Sequence, residues 1–173
     1  TVSGITTARS LSSGLYHTCA ILSSGTIQCW GYNGFGQLGD KTKTSNMTTP
    51  VTVNGITDAT SVAGGFYHSC AALSTGTVKC WGHNSQGQLG NGTTQDSAIP
   101  VTVEGVTTAT SVAGGFTHSC AVLTSGSVQC WGDNGKSQLG NGTTEDSATP
   151  ITVNEITTAT LVSLGDPHSC ILQ

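Results

Sequence analysis

The chain has 173 residues, enough for one ordinary domain with a core of its own, and only 8% of them are charged against a usual share of about a quarter. Five scattered basic residues (Arg9, Lys41, Lys43, Lys79, Lys136) and a net charge of −4 exclude a nucleic-acid surface, which needs clustered cations to displace counterions. No run reaches membrane-spanning length, and a chain this poor in charge is not of the charge-rich disordered kind.

The first clear element is "HTCAILSSGTIQCWG", residues 17–31, with two apolar runs around Ser23-Ser24-Gly25. A three-residue hairpin loop ending in a left-handed Gly fits it. That register sets Leu22 opposite Thr26 and therefore Cys19 opposite Cys29. Directly opposed strand residues lie about 4.5–5.5 Å apart, a span that suits a disulfide. Each such small loop would stabilise by roughly 2–3 kcal/mol. The same register pairs Cys70 with Cys80 around Gly76, and Cys120 with Cys130 around Gly126.

Next comes "GYNGFGQLGD", residues 31–40, in which Gly34 to Gly39 spells the G-x-G-x-x-G of a dinucleotide-binding turn. That site also needs a following helix and a later acidic residue. Residues 40–50, "DKTKTSNMTTP", have no apolar face for a helix. The later copies of the stretch, "GHNSQGQLGN" and "GDNGKSQLGN", lose the fingerprint at Ser85 and Ser137. The glycines are better explained by positive φ in a recurring tight turn, and no cofactor is expected.

The copies continue along the chain. One cysteine series falls at 19, 70, 120 and 170, and the other at 29, 80 and 130; His17, His68, His118 and His168 keep the same step. Four units follow: 1–50, 51–100, 101–150 and an incomplete 151–173. "PVTVNGI" and "ATSVAGG" add short β-rich runs, and no segment holds a helical period. Four short antiparallel strands per fifty residues describe a β-propeller blade, so the expected fold is all-β, with about three and a half blades.

"GGFYHSCAALSTGTVKCWGHNSQGQLG" resembles the regulator of chromosome condensation repeat, with G-x-x-H-x-x-A-L, then G-x-V-x-x-W-G, then N-x-x-G-Q-L-G. The resemblance runs through three units and half of a fourth. It implies a propeller, usually of seven blades, and protein partners. Nuclear members act as nucleotide-exchange factors and some secreted bacterial ones inhibit enzymes; neither role transfers residue by residue. The cysteine pairs depart from the nuclear members and are similar to secreted bacterial relatives.

Zinc on His17, Cys19 and Cys29 competes with a disulfide, but no C-x-x-C knuckle is present. The repeated histidines have no repeated acidic partner, so they read as structural, with rings bonded to nearby backbone. Trp30, Trp81 and Trp131 suit packing between blades; stacking on sugars is the alternative. His83 reads as a surface residue. Leu15, Phe66 and Phe116 share one blade position, as do Tyr16, Tyr67 and Thr117, and such variable positions are where a partner surface is tuned. Tyr16, Tyr67, Phe66 and Phe116 are the candidates for it. No G-x-S-x-G and no paired carboxylates occur, and Asp96 and Asp146 read as loop residues, so the chain is not expected to be an enzyme. Sequons at Asn46, Asn91 and Asn141 are candidate glycan sites, although Asn-Gly is itself a turn signal.

Pairing leaves Cys170 over, a candidate intermolecular thiol. The chain shows no signal peptide and ends in mid-hairpin, so it reads as a mature or truncated piece, as a protomer whose blades other copies complete in a homo-oligomer, or as one unit of a head-to-tail array joined through open sheet edges. The expected function is an extracellular or cell-surface, non-enzymatic module for protein binding or self-assembly. A glycosylated structural subunit of a surface layer or filament, and a carbohydrate-binding module, are the alternatives.

Overall fold

Gly25, Gly76 and Gly126 turn each central hairpin at φ +85°, +80° and +79°, a left-handed conformation that a Cβ disfavours. The computed structural model, which describes residues 2–173, builds one four-stranded antiparallel sheet around each of these corners. The first blade is β1 (Ala8–Ser13), β2 (His17–Leu22), β3 (Ile27–Tyr32) and β4 (Asn46–Thr52). The second is β5 (Ala59–Gly64), β6 (His68–Leu73), β7 (Val78–Gly82) and β8 (Ser97–Thr102). The third is β9 (Ala109–Gly114), β10 (His118–Leu123), β11 (Val128–Gly132) and β12 (Ser147–Thr152). β13 (Leu161–Leu164) pairs with β14 (Ser169–Leu172) in the fourth unit. Among the described residues there is no helix.

The blades stack side by side, so both faces of the middle blade meet apolar neighbours. Every residue of β6, in the middle blade, is buried. One core cluster joins Ile21, Ile27 and Leu38 of the first blade to Val62, Leu73 and Trp81 of the second. A second repeats it between blades two and three with Val78, Leu89, Val112 and Trp131. Full burial of one such side chain is worth about 1.5–3 kcal/mol, so these shared clusters tie each blade firmly to the next.

β1, β5, β9 and β13 form the inner rim. There the chain passes so close to itself that only Gly fits: a Cβ on Gly64 would lie 2.4 Å from the Gly14 nitrogen. Backbone bonds stitch the rim together, from Leu15 N to Gly65 O (3.3 Å), Phe66 N to Gly115 O (3.1 Å) and Phe116 N to Gly165 O (3.3 Å). These bonds place positions 15, 66 and 116 side by side along the inner rim.

Candidate functional site

The repeated His, Ser, Gln and Trp build a lock between blades. His17 Nε2 lies 2.8 Å from Ser69 Oγ, His68 Nε2 2.8 Å from Ser119 Oγ, and His118 Nε2 3.1 Å from Ser169 Oγ. Ser69 and Ser119 donate their hydroxyl protons to the Gln37 and Gln88 carbonyls, which also accept from the Trp81 and Trp131 indoles. A hydroxyl has one proton to give, so each imidazole donates from Nε2 and leaves Nδ1 bare. Nδ1 of His17, His68 and His118 is buried without a partner. Burial therefore holds these rings neutral, pushing His17 and His118 down to about 4 and His68 to about 3. The expectation of a structural His bonded to nearby backbone is corrected in its partner: the ring reaches a hydroxyl about one repeat away. The Gly of G-x-x-H is there for the ring, since a Cβ on Gly65 would sit 2.1 Å from His68 Cε1.

The glycine-rich turn has an equally local reason. Asn33, Asn84 and Asn134 are fully buried, each accepting from the backbone of Leu38, Leu89 or Leu139 while Nδ2 donates to loop oxygens. Gly36 and Gly39 have φ of +82° and +70°, whereas Gly34 does not take positive φ. Asp96 and Asp146 cap this loop by accepting from the Asn84 and Asn134 backbones.

The surface residues converge elsewhere. The chain has three Tyr and three Phe, and all six lie in one patch. Phe116 and Phe66 touch at 3.7 Å between ring centres, Phe66 and Tyr67 at 4.3 Å, and Tyr67 and Phe35 at 4.8 Å. Tyr16 stacks on Tyr67 at 5.9 Å, and Tyr32 lies 5.7 Å from Tyr67. Tyr16 is 57% exposed and Phe116 37%. The sequence picked out Tyr16, Tyr67, Phe66 and Phe116 but missed Tyr32 and Phe35. His83, read as a surface residue, is half-buried against Phe35 at 4.6 Å and belongs to the same group. Tyr16, Tyr32 and Tyr67 also line an open hollow with Met47 and Asn46.

A family model described as the regulator of chromosome condensation (RCC1) repeat matches residues 24–72, 75–122 and 125–172. The chain belongs to the RCC1 repeat family. It is 36% identical over 93 residues to the ultraviolet-B receptor UVR8 of Arabidopsis thaliana, a match covering 52% of this chain and 21% of the receptor. Prp20p of Saccharomyces cerevisiae, whose structure is described with its binding to Gsp1p and histones, superposes with TM-score 0.87 at 23% identity. That superposition covers 97% of this chain and 44% of Prp20p. Human WBSCR16 gives 0.86 at 22% identity, over 95% of this chain and 44% of its own. The chain thus spans less than half the length of these relatives. At those identities the two structures establish the shared propeller fold.

Within this RCC1-repeat scaffold the other candidates take definite places. Disulfides join Cys19–Cys29, Cys70–Cys80 and Cys120–Cys130, with Cα atoms 4.1, 4.0 and 4.1 Å apart. The zinc alternative loses its thiolates to these bonds. Cys170 is an exposed free thiol opposite Ser163. Trp81 and Trp131 are fully buried, so they have no face to offer a sugar; Trp30 is half-buried. Asn46 is exposed on β4, whereas Asn91 and Asn141 accept bonds from the Thr93 and Thr143 hydroxyls of their own sequons.

Proposed function

We propose that this chain is a non-enzymatic protein-binding module that works outside the cell, and that its partner docks on the aromatic face around Tyr16, Phe66, Tyr67 and Phe116. One observation carries the reading: all the Tyr and Phe of the chain are spent on a single solvent-facing patch, while the core is built from aliphatic side chains, Trp and cystine. Tyr and other aromatics dominate binding energy at protein interfaces, because they bury large area at small entropic cost. The protein partners named for Prp20p, Gsp1p and histones, support binding as the use of the scaffold. Three disulfides support an oxidising compartment.

The reading is tested by placing a photo-crosslinking phenylalanine at position 116, and at exposed Glu104 as control, in the native setting. The expected result is a discrete protein adduct at 116 that is absent at 104. With that partner purified, Tyr16→Ser and Phe116→Ser should each weaken binding by about tenfold or more without lowering the melting temperature. Equal adducts at both positions, or unchanged affinity in both variants, would overturn the aromatic face as the docking site.

A further inference from the structure

The aromatic patch is not uniform; it changes chemistry from blade to blade. At one position the repeats read Leu15, Phe66, Phe116 and then Asp166, and at another Tyr32, His83 and then Asp133. Residues 1–100 hold four cations and three acids, but residues 101–173 hold one cation and six acids. The molecule therefore has an acidic half, and the aromatic row runs into it.

Phe116 is the junction. Its ring packs on Phe66 at 3.7 Å, and it lines a shallow hollow along the inner rim beside Gly165 and Asp166. On its other side it lines a groove with Thr117, Asp133, Lys136 and Asp166. Asp133 is half-buried there, with Thr117 Oγ1 donating to it at 3.0 Å and Gly135 N at 3.0 Å. Burial pulls its carboxyl upward, but these hydrogen bonds outweigh that and hold it below the ordinary range. Asp166 is exposed. Lys136, also exposed, faces the same groove, so two carboxylates stand against one ammonium and the groove stays net negative.

Resting on the protein-binding reading above, we infer that the patch takes a segment of a partner protein that carries an apolar or aromatic side chain and, a few residues on, a Lys or Arg. The apolar side chain seats on Phe66 and Phe116. The cation seats between Asp133 and Asp166, where charge complementarity fixes which way round the segment lies. A partner segment with Asp or Glu at that place is rejected by like charge.

The probe is a phage-displayed library of random dodecapeptides panned against the intact protein. Enriched peptides should combine an aromatic or large aliphatic residue with Lys or Arg. Panning against the double variant Asp133→Lys, Asp166→Lys should enrich acidic residues in their place. In solution, the best peptide should lose about tenfold in affinity for Asp133→Asn, Asp166→Asn, and that loss should shrink in high salt. Aromatic peptides enriched without regard to charge would overturn this inference and leave the aromatic face standing. Peptides that enrich equally on Phe116→Ser would overturn both, as would a library that stays silent while immobilised oligosaccharides bind the patch. Asn replacements at half-exposed and exposed sites leave the core untouched, and an unchanged melting temperature verifies that each variant is folded.

Discussion

His68 of the second blade holds Ser119 of the third, with Nε2 and Oγ 2.8 Å apart and both side chains fully buried. Ser119 passes the constraint on by donating to Gln88 O at 3.0 Å, where the Trp131 indole also arrives at 2.9 Å. Three side chains and one carbonyl thus fix how far one sheet can slide on the next. Ser119→Ala removes the acceptor of a buried N–H, and an unsatisfied buried group costs about 1–3 kcal/mol. In a chain of this size that lowers the melting temperature by roughly 2–4 °C per kcal/mol. Scanning calorimetry at neutral pH measures it, and an unchanged transition would show that the lock contributes nothing.

The same rings make stability depend on acid. His17 and His118 are pushed down to about 4 and His68 to about 3, against an unfolded value of 6.5, because burial penalises their charged form. The neighbouring histidines add to this at His68, while Asp133 and Asp166 partly offset it at His118. The unfolded chain therefore binds more protons than the folded one between those values. The contribution is complete above pH 6.5 and is lost as pH falls toward 4 and then 3. Each imidazole removes up to about 1.4 kcal/mol per pH unit within the window. Urea midpoints taken at several pH values should fall through this range, and His68→Gln should flatten the slope.

Much of this architecture is legible in the chain itself. The hairpin corner at Ser23-Ser24-Gly25 sets Cys19 opposite Cys29, because both elements are local and the loop length settles the register. The fifty-residue step then carries the result to the other blades. The contacts between blades are less accessible. Periodicity shows that His68 and Ser119 recur, but not that one repeat's ring finds the next repeat's hydroxyl. Tyr32 and Phe35 were missed for the same reason. They meet Tyr67 only because the end of β3 and its following loop lie against the turn between β5 and β6 of the next blade. Position within a repeat does not report that neighbour.

The disulfides can be weighed one at a time. Cys70 and Cys80 are ten residues apart and fully buried in the middle blade. Constraining so short a loop stabilises by about 2–3 kcal/mol. The pair Cys70→Ala, Cys80→Ala should lose that much in a urea titration while keeping its β-sheet circular dichroism. Reductant opens all three bonds and should therefore lower the native protein's midpoint further than the substitutions do. A protein whose midpoint ignores dithiothreitol would show that the bonds add no stability.

Two glycines with nearly the same backbone angle separate strain from contact. Gly55 has φ +67° and Gly87 φ +79°, both in the left-handed region. A Cβ on Gly55 would meet nothing within 4 Å, but one on Gly87 would lie 2.6 Å from Ala148 Cα in the next blade. Backbone of a neighbouring strand cannot move aside as a flexible side chain can. The chain already tolerates the first situation: Glu155 occupies the place of Gly55 in the fourth unit at φ +59°. Gly55→Ala should therefore cost only the left-handed penalty, about 1–2 kcal/mol. Gly87→Ala carries the same penalty and must also push β12 away from the β7–β8 loop. That breaks the bond from Gly92 N to Ala148 O, now 3.0 Å, and loosens the seal over Trp131. The measurable outcome is a larger fall in melting temperature for Gly87→Ala, together with faster amide exchange at Gly92, than for Gly55→Ala. Equal losses in the two variants would mean that the seam gives way to a Cβ at Gly87, although that atom would lie only 2.6 Å from Ala148 Cα.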